Sequence, residues 1–250
     1  MCILLISRKK NSNWPILIAT NRDEFFNREF RDPGKHWKNF PYIYAGKDKK
    51  AGGSWLGINK YGICVAILNR KTLLKNSKNL ESRGNLVIHA LKFKLALQAK
   101  NKIIESFEKK YKFFNLFISD IKNSYLIKYD NFKLETFSIP YGNSIIDNLD
   151  LNDKNSIRQS FNKNKFNDAS FPEPERNKFD AWKKLLLSKS PKIDGNLTSI
   201  YVKDRHNNYG TVCSSIIGLP KIKTNTKDIF WLYRKSNDNS TNFKKLKLFS

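Results

Sequence analysis

The sequence predicts an α+β protein: two mainly antiparallel sheets packed against each other, with helices outside. Two observations lead to that expectation. Short apolar runs bounded by turn residues fill the first third of the chain, part of its middle and its last part. Between them lie segments whose apolar residues recur every three or four positions, the period of a helix. An order of strands, helices, strands, helices and strands makes sheets covered by helices.

The elements follow in order. Cys2 to Ser7 is a short apolar run, Asn11-Ser12-Asn13 is a turn signal, and Pro15 to Thr20 ("PILIAT") is a second apolar strand, so the pair reads as a hairpin. "NREFRDPGKHW" reads as a polar loop with a turn at Asp32-Pro33-Gly34. "GGSWLGI", "NKYG" and "ICVAIL" form a strand-turn-strand unit, in which Gly52, Gly53 and Gly57 serve a tight turn and close strand approach. From Gly84 to about Lys110, the positions of Leu86, Ile88, Leu91, Leu95, Ile103 and Phe107 predict one or two helices, with Ser82 as a cap. Strands return at "FFNLFIS", "YLIKYD" and "KLETFSI". "NLDLNDKNS" is turn-like, and a helix after Pro174 carries Phe179, Trp182, Leu185 and Leu186 on one face. "TSIYVKD", "GTVCSSIIGL" and "KDIFWLY" are the last strands. Residues 1–250 read as a single domain with a basic tail from about residue 235.

The 47 Lys and Arg outweigh 22 Asp and Glu, a net charge of +25. A nucleic-acid partner would concentrate that charge in a stripe or a motif. Here the lysines are scattered, which favours a compositional origin and no specific nucleic-acid partner. Peripheral contact with an anionic membrane fits the same charge. Cys2, Cys64 and Cys213 make no disulfide framework, and His36, His89 and His206 lie far apart, so no metal site is expected. The apolar run after Cys2 is too short for a signal-peptide core, and no stretch reaches the roughly 20 apolar residues that span a bilayer. The expected location is the cytoplasm. Cys64 and Cys213 read as inert buried thiols, Trp55 as core and His89 as a partly buried residue rather than a base.

Cys2 is where chemistry enters. An initiator methionine before a small residue is usually removed, and Cys2 would then carry a thiol and a free amine on one carbon. The second strand runs into Asn21-Arg22-Asp23-Glu24. Alternation along a strand puts Asn21 and Asp23 on one face, with Arg22 and Glu24 on the other. The hairpin returns this segment to Cys2. A carboxylate there could hold the terminal amine, and an arginine could bind an anion or favour the thiolate.

"MCILLIS", "ATNRDEFFNR", "GGSWLGINKYG", "ILNR", "SRG" and the late Tyr209-Gly210-Thr211 with Cys213-Ser214-Ser215 resemble, in the same order, the NRDE family, also called the Transport and Golgi organization 2 family. The resemblance runs from residue 2 to about 219. It implies an N-terminal-nucleophile (Ntn) hydrolase fold, a four-layer αββα sandwich. It implies Cys2 as nucleophile, its own α-amine as base and Asp23 as the residue that orients the amine, with Asn69 and Asn143 as candidate oxyanion donors. Asn21, Arg22, Glu24 and Arg83 are the candidate substrate-binding residues; Arg83 reads equally as a helix cap or as part of an anion site. Two departures stand out. In the related hydrolases the Arg and Asp are three residues apart, whereas Arg22 and Asp23 are adjacent; and Val212 stands where the family often has arginine. The function implied is cleavage of an amide, ester or thioester bond in a small or lipid-like substrate, with no cofactor required. The alternative is a non-catalytic protein that binds and carries an anionic ligand, either haem or a lipid or acyl-CoA.

Overall fold

The computed structural model describes residues 2–71, 80–221, 229–236 and 241–249. The chain forms two compact units. One comprises Met1–Asn27, Pro140–Gly218 and Phe230–Leu246, the other Arg28–Ile139, Leu219–Ile229 and Lys247–Ser250.

The first unit opens with the expected hairpin. β1 (Ile3–Arg8) and β2 (Ile16–Phe25) pair antiparallel, with Ile3 opposite Asn21 and Arg8 opposite Ile16. β1 is buried along its whole length, which is why it reads as an unbroken apolar run rather than an alternation. β2 continues through Phe25, so Asn21 to Glu24 lie inside the strand rather than beyond its end.

The second unit is a meander of β3 (Phe30–Gly34), β4 (Ile43–Asp48), β5 (Leu56–Asn59), β6 (Cys64–Asn69), β7 (Phe114–Ser119), β8 (Ser124–Asp130) and β9 (Lys133–Ser138), hydrogen-bonded in that order. The segment expected to be a polar loop is β3. Its register shifts between Arg31 and Gly34, and an edge strand tolerates Pro33, which has no N–H to give. α1 (Gly84–Ala90) and α2 (Ala96–Glu105) bring Leu86, Val87, Ala90, Ala99 and Ile103 into a core with Ile43, Val65, Leu116, Ile127 and Tyr129. Gly53 permits a close backbone approach: a Cβ there would stand 2.5 Å from the carbonyl carbon of Gly84. Asn59 ties a turn to the helices. Its carbonyl accepts from the Tyr61 and Ile63 N–H groups, and its amide donates to Leu91 O and Phe93 O.

The chain then returns to the first unit. β10 (Gly142–Ile146) pairs antiparallel with β1, Leu4 opposite Ile146 and Arg8 opposite Gly142. α3 (Ile157–Asp168), a 3-10 turn at Pro174–Arg176 and α4 (Asp180–Leu186) follow. β11 (Lys203–Asp204), β12 (Tyr209–Leu219), β13 (Phe230–Lys235) and β14 (Lys244–Lys245) complete a sheet of order β10-β1-β2-β12-β13-β14, with β11 beside β12. Of "TSIYVKD" only Lys203 and Asp204 are strand. Upstream, side chains take the carbonyls that a ladder would use: Asn162 donates to Thr198 O, Arg158 to Ser199 O, and Asn21 to Ile200 O. Ile3, Leu5, Leu17, Ala19, Phe166, Trp182, Leu186, Ile216 and Phe230 form the core of this unit. Among the described residues, no helix is long and apolar enough to cross a membrane.

Candidate active site

Cys2 immediately precedes β1 and is half-buried. Its Sγ lies 3.8 Å from the carbonyl oxygen of Asp23. Burial pushes the thiol pKa up and the nearby Asp23 carboxylate adds to the rise, against a smaller opposing pull from Arg22. At neutral pH the sulfur therefore keeps its proton unless a base takes it.

Asp23 is the best-held group in the neighbourhood. Its side chain is fully buried, and the Arg158 Nη2 that meets its Oδ2 at 3.1 Å belongs to a side chain only 4% exposed. Its Oδ1 accepts the Thr211 hydroxyl at 2.7 Å. Thr211 Oγ1 itself accepts the Val202 N–H at 2.9 Å, which leaves its one proton for Asp23. Arg158 also donates to Ser199 O and Ile200 O, so this buried pair has the extra hydrogen bonds that such a pair needs. Tyr209 donates from its hydroxyl to the Asp23 carbonyl at 3.0 Å. Burial, and then the charges of Cys2, Asp23 and Glu24, raise the Tyr209 phenol, so it remains a donor across the physiological range.

Local sequence fixes Arg158. Ser156 caps α3 by accepting the Gln159 N–H and donates to Asp147 at 2.6 Å. Gln159 reaches the other Asp147 oxygen at 2.7 Å. The first turn of α3 is thereby locked to the end of β10, and Arg158 projects to Asp23.

The expected face split on β2 is present: Asn21 and Asp23 are buried on one side, while Arg22 and Glu24 pair with each other at 3.7 Å. The other candidate residues are spread more widely. Asn21 is fully buried, and its amide donates to Leu186 O and Ile200 O. Asn143, expected after a strand, lies within β10 opposite Ser7; Ser7 is at the far end of β1 from Cys2, roughly 17 Å away at the rise of a strand. Asn143 is exposed and donates to Asn167. The same register brings Asn148, two residues beyond β10 and mostly buried, to the Cys2 end of β1. Asn69 ends β6 in the second unit, opposite Phe114 and exposed. Arg83, also in the second unit, donates to Phe113 O at 2.9 Å at the start of a helix of only seven residues, while Ser82 Oγ accepts the Gly84 N–H. Met1 lies outside the described residues. Cys64 and Cys213 are buried, and burial pushes the Cys64 thiol far up. Among the described residues, no three or more His, Cys, Asp or Glu residues are grouped to hold a metal ion.

A family model, Transport and Golgi organisation 2, matches residues 1–226. The chain belongs to the Transport and Golgi organisation 2 family. Among its relatives are the Transport and Golgi organization 2 homologs of Mus musculus, 32% identical over 134 residues, and Homo sapiens, 31% identical over 136. Each match covers 50% of this chain and 47% of the relative, so the matched region spans about half the length of these curated family members. The fold is that of solved N-terminal-nucleophile hydrolases. Penicillin V acylase from Agrobacterium tumefaciens superposes with a TM-score of 0.55 at 12% identity, covering 94% of this chain and 83% of its own. A mutant of the conjugated bile acid hydrolase from Clostridium perfringens superposes with a TM-score of 0.53 at 14% identity, covering 99% and 92%. At such identities the likeness carries the fold alone.

Proposed function

We propose that this family member is an N-terminal-cysteine hydrolase that cleaves an amide, ester or thioester bond. The observation behind the reading is the anchored carboxylate beside the thiol: Asp23, gripped by Arg158 and Thr211, with its carbonyl facing Cys2 Sγ. A buried, charged group held this firmly next to a nucleophile suits the task of orienting a base.

In this mechanism Met1 is removed and Cys2 gains a free α-amine. Its ordinary pKa of about 7.7–8.0 suits it to accept a proton near neutral pH. The thiol gives its proton to that amine, directly or through a water, and sulfur attacks the substrate carbonyl carbon. The tetrahedral oxyanion takes donors from the site, with the Asn148 amide as the candidate nearest in register. The C–N, C–O or C–S bond then breaks, the leaving group takes the proton from the ammonium, and an acyl thioester remains. Water attacks the thioester, the amine again accepts a proton, and the acid departs as the thiol is restored. The Asp23 carboxylate orients the amine and stabilises its charged form in each half-reaction.

The test begins with intact mass before and after a small thiol-directed electrophile at pH 7. The expected result is loss of Met1 and fast modification at Cys2 rather than Cys64 or Cys213. A screen of amides, esters and thioesters should then find turnover that vanishes in Cys2→Ala, falls in Cys2→Ser, and rises with pH as the amine loses its proton. Retained Met1, or a Cys2 that does not react, would overturn the reading and turn attention to carriage of an anionic ligand.

A further inference from the structure

The second unit holds a cavity of about 310 Å³ lined by Trp37, Asn85, Leu86, Ile88, His89 and Lys92 together with Gly52 and Tyr111. Its size is at the lower end of small-molecule sites, which start near 300 Å³. Asn85, His89 and Lys92 stand at spacings of four and three. They share one face of α1 and of the turn that continues it. Leu86 and Ile88 are buried and give an apolar floor.

Three polar side chains of this cavity are uncommitted, while the Tyr111 hydroxyl is held by Glu81. Among the described residues, the Asn85 amide and the His89 imidazole form no hydrogen bond, and the Lys92 ammonium forms no ion pair. The Lys92 ammonium lies 4.5 Å from the centre of the Phe40 ring, and Lys47 Nζ lies 5.7 Å from that of Trp37, again without a carboxylate. The neighbouring carboxylates are engaged: Asp48 takes a two-point contact from Arg28, and Glu81 takes Lys110 and the Tyr111 hydroxyl. This pattern differs from a solvated basic surface, because an aromatic ring and an apolar floor adjoin the charges.

We infer that this cavity is a binding site for a small aromatic anion, whose ring rests on Leu86, Ile88 and Trp37 while its carboxylate or similar group meets Lys92, His89 and Asn85. The ring faces supply apolar area and the ammonium supplies charge recognition, the usual division of labour in such clefts. The site shares no residue with the Cys2 neighbourhood.

The test is calorimetric titration of the full chain with 2-naphthoate and, in parallel, with uncharged 2-naphthylmethanol. Naphthoate should bind, and naphthylmethanol should bind at least tenfold more weakly. Lys92→Glu should weaken naphthoate at least tenfold and Asn85→Ala by a smaller factor, both with unchanged circular dichroism. Cys2→Ala should bind naphthoate as the parent does, which separates this site from the hydrolase reading. Equal binding of the two probes, no binding at millimolar naphthoate, an undiminished Lys92→Glu or Asn85→Ala variant, or loss of binding in Cys2→Ala would each overturn the assignment.

Discussion

The two units bury polar side chains for different ends. In the second, Asn59 binds two backbone N–H groups and two carbonyls that belong to its own turn and helices, and Asp120 caps α2 by accepting the Ala96 N–H at 2.8 Å. In the first, Asp147, Ser156, Gln159, Arg158 and Thr211 form a chain of contacts that ends on Asp23, beside a half-buried thiol. Both arrangements obey the rule that buried polar groups find partners. Only the network of the first unit converges on a group that can react. Buried polarity by itself therefore marks no active site; what marks one is where the hydrogen bonds lead.

The sharpest way to break this comparison is to replace Arg158 with Leu. Asp23 would remain buried without its guanidinium, at a cost of about 3–5 kcal/mol, and the thermal midpoint should fall accordingly. The rate at which an alkylating agent modifies Cys2 in the still-folded protein should change too. If stability falls while alkylation stays constant, the network is structural and the contrast between the units disappears. Comparable in size is Asn59→Ala, which strands several backbone groups, each worth about 1–3 kcal/mol when buried without a partner. Here stability should fall with no change at Cys2. Tyr209→Phe is smaller: loss of one hydrogen bond, about 0.5–1.5 kcal/mol, read by urea denaturation.

How much of this was legible follows the range of each interaction. The hairpin of β1 and β2 was readable because both strands are apolar runs separated by a turn, and because alternation placed Asn21 and Asp23 together. The strands β5 to β9 are readable for the same local reason, whereas β4 is not among the expected elements. Arg158 was not: it sits in a polar helix, 135 residues from Asp23, and its only local signal is the Ser156 cap followed three residues later by Gln159. Asn143 reads as a candidate because it follows the strand "KLETFSI"; the strand register that places it far along β1 from Cys2 joins distant strands and is invisible in a single sequence. β3 reads as a loop because Pro33 argues against a strand except at an edge. The irregular run before β11 reads as strand from its apolar residues, while the side chains that capture its carbonyls come from elsewhere in the chain.

The smallest effect separates the units by pH. Tyr111 in the second unit has its phenol pushed up to about 12, first by burial and then by its hydrogen bond to Glu81. A group whose pKa is higher in the folded state than in the unfolded one holds its proton more tightly when folded. The stability it contributes is complete below the ordinary tyrosine value near 10 and is lost as pH rises from 10 towards 12. Tyr111→Phe removes that titration. The variant should start less stable at pH 8, for want of the hydroxyl contact, and lose less stability than the parent between pH 10 and 12. Urea midpoints at both ends of that range read the difference. Tyr209 in the first unit and Tyr44 and Tyr129 in the second also have raised phenols and are unchanged in both proteins, so parallel losses in parent and variant would show that the alkaline sensitivity does not come from Tyr111.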